Sequence, residues 1–86
     1  LHTPHGIFVN TKLQLFVADC SNNRIQRFNP NNSTGVTVAG NGAENTISLS
    51  CPMGIHLDAD GYLFIVDHGH HRIVGSGPHG FRCLVG

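Results

Sequence analysis

The chain has 86 residues, five basic and five acidic side chains, and a formal net charge of zero with its seven histidines counted neutral. A chain of this length holds one small domain and buries a limited share of its surface, so it needs a good core, covalent staples or partners. Its arginines, Arg24, Arg27, Arg72 and Arg82, are scattered, which excludes the concentrated positive field that nucleic-acid and anionic-membrane binding rely on.

No apolar run approaches the roughly 20 residues of a transmembrane helix. Leu1 to Pro4 offers neither a positive n-region nor an apolar h-region, so no signal peptide is expected there. There is no initiator Met, so the sequence reads as a segment of a longer protein, with room for a targeting signal upstream.

The predicted elements are short strands. Gly6 to Asn10 places Ile7 and Val9 on one face, and Leu13 to Asp19 is a near-continuous apolar run of the kind buried on both sides. Between them Asn10-Thr11-Lys12 supplies a turn. Ser21-Asn22-Asn23, tolerant of positive φ, leads into a more polar strand from Arg24 to Phe28. Asn29-Pro30-Asn31-Asn32 is a further turn, and Val36 to Ala39 a fourth strand. Gly40-Asn41-Gly42 lacks the Lys and following helix of a phosphate loop and is expected to be a turn.

The same order then recurs. Strands are predicted at Gly54 to Asp58, Tyr62 to Asp67, Arg72 to Val74 and Phe81 to Val85. Asp58-Ala59-Asp60-Gly61, Gly69-His70-His71 and Gly77-Pro78-His79-Gly80 fall between them as turns. An offset of 48 residues makes eight of the 25 positions from 4 to 28 identical to those from 52 to 76. Average amino-acid usage would give about one or two by chance. A two-residue gap then aligns Val38-Ala39-Gly40 with Leu84-Val85-Gly86. The chain is therefore two units, residues 1–48 and 49–86, each with four antiparallel strands. That is the size of a β-propeller blade, and the fold class is all-β. A sandwich or single barrel would not require this repeat.

Three cysteines, Cys20, Cys51 and Cys83, permit one internal disulfide, in any of three pairings or reaching outside the chain. Together with overlapping glycosylation patterns at Asn31 and Asn32, they point to an extracellular, oxidising setting.

The residues Pro4-His-Gly-Ile7 followed by Leu15-Phe-Val-Ala-Asp-Cys-Ser-Asn-Asn-Arg-Ile-Gln-Arg-Phe28 resemble the NHL repeat. A second copy is Leu63-Phe-Ile-Val-Asp-His-Gly-His-His-Arg-Ile-Val74. The cysteine-bearing form, with Cys51-Pro52 and Phe81-Arg82-Cys83, is similar to extracellular NHL-repeat proteins of invertebrates. The second copy departs at Gly75-Ser76, where the first keeps Arg27-Phe28, and its third strand is expected to weaken there. The resemblance implies a propeller of five or six blades. Two blades leave two apolar faces to be covered, by further blades of a parent chain or by other copies in a head-to-tail ring.

Candidate chemistry is sparse. Asp19 with Arg24 and Asp67 with Arg72 form pairs across a turn. A substrate clamp is conceivable, but recurrence in both units favours a structural brace. His5 begins the innermost strand and would match one zinc ligand of the peptidyl-hydroxyglycine amidating lyases that the NHL resemblance brings in. The equivalent residue is Met53, and one histidine does not build a zinc site. His68, His70 and His71 are expected to splay from a surface turn. The expectation is a non-enzymatic interaction module that uses no cofactor and binds a protein or glycan, with neither nucleic acid nor membrane as partner. The alternatives are a fragment of a zinc-dependent lyase and a self-assembling structural repeat.

Overall fold

A computed structural model describes residues 4–31, 34–43, 46–77 and 80–86, and the side chains from Gly6 onward within them. The first unit contains β1 (Pro4–Val9), β2 (Leu15–Asp19), β3 (Arg24–Phe28) and β4 (Val36–Gly40). The second contains β5 (Pro52–Leu57), β6 (Leu63–Asp67), β7 (Arg72–Gly77) and β8 (Gly80–Val85). Each set forms its own antiparallel meander, in the orders β1-β2-β3-β4 and β5-β6-β7-β8. A single 3₁₀ turn joins the second strand to the third in each, Cys20–Asn22 and His68–His70.

The registers coincide. Pro4 faces Asp19 and Val9 faces Leu15, as Pro52 faces Asp67 and Leu57 faces Leu63, with an irregularity after each proline. A bulge in the last pairing sets Ala39 opposite Ile25 and Val85 opposite Ile73. The repeat therefore continues through the fourth strand, as the two-residue gap in the alignment requires.

The sheets stack face on face. Phe16, Ala18, Ile25 and Ala39 of the first meet Leu57, Leu63, Ile65 and Val74 of the second, with Leu49 of the connecting segment added. The inner strands β1 and β5 touch at Gly6, where an added Cβ would lie 2.6 Å from the Met53 carbonyl oxygen and 2.9 Å from Gly54 Cα. Phe8 and His56 meet edge to face beside this contact, ring centroids 4.9 Å apart.

Several boundaries differ from the sequence reading, three of them by more than a residue for a reason the structure shows or with a consequence for the repeat. β2 starts at Leu15 because Leu13 takes a positive φ of 62°, the slot that Gly61 fills in the second unit. β1 begins at Pro4 rather than Gly6. β7 does not weaken at Gly75-Ser76 but continues to Gly77, paired residue for residue with β8. Leu84 explains this, because it occupies the space above Gly75, where a Cβ would lie 2.7 Å from its Cδ1.

The outer face of each sheet is partly bare, although Val17 and Gln26 on the first sheet's outer face are buried. Val66 is 45% exposed, while its counterpart Ala18 is fully buried; Ile73, Leu84 and Val85 are exposed beside it. On the opposite side Ile7 and Val9 are exposed, whereas their counterparts Ile55 and Leu57 are packed inside. β6 is therefore buried on one face only.

Candidate functional site

The two ends of the blade pair differ in chemistry. At one end lie the β2–β3 and β6–β7 turns with the connecting segment. Each turn closes on a residue in the left-handed region, Asn23 at φ 54° and His71 at φ 52°. Asparagine adopts that conformation readily, and histidine is among the side chains enriched there.

Each turn folds over a fully buried aspartate. Asp19 Oδ2 accepts from Arg24 Nε at 2.9 Å and from Asn22 Nδ2 at 2.9 Å. Asp67 Oδ2 accepts from Arg72 Nε at 2.9 Å and lies 2.7 Å from His70 Nδ1. An ionised carboxylate only accepts, so Nδ1 carries the proton. Burial alone would push the Asp67 carboxyl upward; the Ser50 backbone N–H, His70 and Arg72 outweigh it and hold the group below its ordinary value of 3.8. Asp67 is thus an anion embedded among donors. Its other oxygen accepts from Ser50 N at 2.7 Å, Gly69 N donates to the Ser50 carbonyl at 2.7 Å, and Arg72 Nη2 donates to the Ser48 carbonyl. The second unit's carboxylate and turn therefore fix the segment arriving from the first.

Two further ties cross between the units. Cys51 N donates to Asn23 Oδ1 at 2.9 Å, and Cys20 forms a disulfide with Cys51, while Cys83 is free and exposed on β8. Among the three pairings open at the sequence level, the structure has the one that locks the first turn to the start of β5.

The sequence candidates therefore part company. The Asp19–Arg24 and Asp67–Arg72 pairs lie at the hairpin ends, each carboxylate buried and each arginine partly exposed. His70 turns back onto Asp67 instead of splaying, in the role that Asn22 plays for Asp19. The signal for this was present, since both occupy the same repeat position and both can donate. His68 and His71 stay exposed, their ring centroids 6.3 Å apart. Among the described residues no three His, Cys, Asp or Glu converge as a metal-ligand set. The His5 side chain lies outside the described residues, and its counterpart Met53 supplies no second imidazole, so no step through zinc is derived. Asn31 is exposed with φ 60°, and Asn32 also lies outside the described residues.

The other end holds a cleft of about 740 Å³ between the 10–14 turn and the 58–61 turn. Both turns are built by a side-chain oxygen gripping its own backbone. Asn10 Oδ1 accepts from Lys12 N and Gln14 N at 3.0 Å each, and Asp58 Oδ1 from Asp60 N and Tyr62 N at 2.9 Å each. Gln14 is fixed further, its amide donating to Asn29 Oδ1 at 2.9 Å. The cleft floor includes Phe8, Phe16, Val38, Leu57, Leu63 and Arg27. Arg27 Nε is buried and, among the described residues, has no hydrogen-bond partner. Sequence reasoning saw only that Arg27 has no counterpart in the second copy.

Four-stranded meanders stacked on their inner strands and related by a 48-residue repeat are blades of a β-propeller. The sequence profile of the NHL repeat matches residues 1–28, the inner strand and first hairpin of the first blade. Residues 1–28 thus match an NHL repeat, and the chain folds as two blades of a β-propeller. Among solved structures, the chain superposes on virginiamycin B lyase from Staphylococcus aureus, in a crystal structure of its selenomethionine-substituted form, with a TM-score of 0.71 at 17% identity. The match covers 95% of this chain and 26% of that one, so the chain spans about a quarter of the lyase, and at this identity the likeness shows the fold alone. No curated protein matches the sequence.

Proposed function

We propose that the chain is a non-enzymatic interaction module: a blade pair that docks further blades on both end faces and holds its turns ready for a protein or glycan ligand. The observation that carries this reading is the reciprocity of the faces. Ile7 and Val9 present the surface that Ile55 and Leu57 present inside the molecule, and Val66, Ile73 and Val85 present the surface of Ala18, Ile25 and Ala39. Each bare face is thus complementary to the other. An exposed apolar patch of this kind marks an interaction surface. Blades of a parent chain and other copies of this chain offer the same partner surface, and head-to-tail contacts of this kind either close into rings or run on as fibres. The Cys20–Cys51 disulfide and the exposed Asn31 support an extracellular setting for the module.

Sedimentation velocity tests the docking faces. Ile7→Asp and Ile73→Asp each damage one face, so each variant alone should stay monomeric where the natural chain self-associates. Mixed, they should form a capped dimer through the two intact faces. A natural chain that remains strictly monomeric, or a mixture that does not dimerise, refutes the reading. The structural neighbour is by name a lyase. Stoichiometric zinc in purified protein, lost in His5→Ala, would displace the scaffold reading in favour of metal-dependent chemistry.

A further inference from the structure

The cleft between the 10–14 and 58–61 turns is lined by a cation, Arg27, that has no ion-pair partner among the described residues. The other two arginines at hairpins, Arg24 and Arg72, are each neutralised by a buried aspartate of their own blade. Arg27 lies on the blade 1 face that packs against blade 2, opposite Phe16 in the β2–β3 register, with its Nε out of solvent and, among the described residues, without a hydrogen-bond partner. A guanidinium nitrogen in that state has given up water and received nothing in exchange.

The position is not imposed by the fold. In blade 2 it is Gly75, and Leu84 fills the space, so an apolar filler satisfies the same site. Blade 1 has Val38 where blade 2 has Leu84, one carbon shorter, and it keeps the cation. The surroundings define what would complete it. Phe8, Phe16, Val38, Leu57 and Leu63 make an apolar wall, while Lys12, Asp58 and Asp60 stand on the turns at the mouth. Two carboxylates at the mouth disfavour a polyanion such as a phosphate ester. A carboxylate fits the guanidinium through its two Nη nitrogens, with one charge against one charge and planar geometry on both sides.

We propose that this cleft binds a monocarboxylate carried on a short apolar body, the carboxylate on Arg27 and the body against Phe8, Phe16 and Leu57. The C-terminal residue of a peptide and a free aliphatic acid share this chemistry. The site lies wholly between two blades of one chain, so it stands or falls independently of whether the end faces dock.

The test is a titration of the full chain followed by amide and guanidinium NMR shifts, with three probes: N-acetyl-leucine, N-acetyl-leucinamide and hexanoate. N-acetyl-leucine should saturate shifts at Arg27 Nε–H, Gln14 and Leu57, and the amide should bind about 10- to 100-fold more weakly, the usual worth of a charge-assisted hydrogen bond. Arg27→Gln should abolish that difference, and Asp60→Asn, which removes a rim carboxylate without touching the floor, should tighten the acid severalfold. Tighter binding of N-acetyl-leucine than of hexanoate assigns the site to a peptide terminus, and the reverse to a free acid. Acid and amide titrating alike, shifts confined to residues outside the cleft, or acid preference persisting in Arg27→Gln overturns the proposal. Should Arg27→Gln fail to fold, the comparison of acid with amide on the natural chain still decides.

Discussion

The contact between the two inner strands predicts unequal costs for two alanine substitutions at repeat-equivalent glycines. A Cβ at Gly6 would sit 2.6 Å from the Met53 oxygen and 2.9 Å from Gly54 Cα, both backbone atoms held in β5. Neither can rotate away, and relieving the overlap requires the inner strands to separate by roughly 0.5–0.8 Å, given ordinary carbon–oxygen contacts near 3.3 Å. Overpacking of this kind costs about 1–3 kcal/mol, and losing glycine's freedom in the unfolded chain returns about 0.4–1 kcal/mol. Gly6→Ala should therefore destabilise by about 1–2 kcal/mol, which in a domain of this size lowers Tm by about 4–16 °C. Gly54→Ala meets only the Val66 side chain, at 3.2 Å, on the bare face where that side chain has room to move. It should be neutral within about 0.5 kcal/mol or slightly stabilising. Urea unfolding followed by circular dichroism gives both values, with an unchanged m confirming that the native state, and not the compactness of the unfolded chain, has changed. Equal costs at the two glycines would refute the inner-strand contact as the feature that seats one blade on the next.

Reduction of the Cys20–Cys51 bridge, which closes a loop of sequence separation 31, should cost about 3–4 kcal/mol on loop entropy. Cys83→Ser should change neither the midpoint nor its response to reductant, and a reductant-insensitive melting curve would contradict the pairing. Asp67→Asn should cost about 3–5 kcal/mol, because Arg72 and His70 then lose a buried anion. Its pH dependence has a definite sign. The folded carboxyl titrates below 3.8, so just beneath that pH the unfolded chain binds more protons. The contribution of Asp67 is complete above about pH 5 and is lost as the pH falls through 3.8 toward the folded value. Denaturant midpoints between pH 5 and pH 2 should fall more steeply for the natural chain than for Asp67→Asn, and parallel slopes would exclude the linkage.

Much of the fold is legible in the residues because two copies of one pattern check each other. Apolar alternation at Ile7 and Val9 could be a strand in many settings, but the same alternation 48 residues later at Ile55 and Leu57 fixes it as a strand of a repeating unit. Turn chemistry was equally readable at Asn23 and His71, both in the left-handed region. What the sequence concealed were events between repeats or in their compensations. Leu13 takes a glycine-like φ because the Asn10 side chain grips the turn, which apolar patterning cannot register. The continuity of β7 through Gly75 depends on Leu84, nine residues away, entering the space left by the missing side chain. Turn chemistry marks the 3₁₀ turns only as reversals and does not by itself reveal the recruitment of Asn22 and His70 to the buried carboxylates.

The departures from the repeat sort themselves by whether the structure repairs them. His70 in place of Asn22 is repaired within its own turn, since either residue donates to the carboxylate. Gly69 in place of Ser21 is required, because any Cβ there would strike Ser50, whose carbonyl accepts the Gly69 N–H. Gly75 in place of Arg27 is repaired by Leu84. Read the other way, Arg27 in place of glycine is the departure that nothing among the described residues repairs: its Nε is buried and unpaired in a cleft of about 740 Å³. Substitutions that a fold compensates internally concern folding. Arg27, left uncompensated, is the departure that the proposed carboxylate would answer, at a cleft whose two framing turns are each held by side-chain-to-backbone hydrogen bonds.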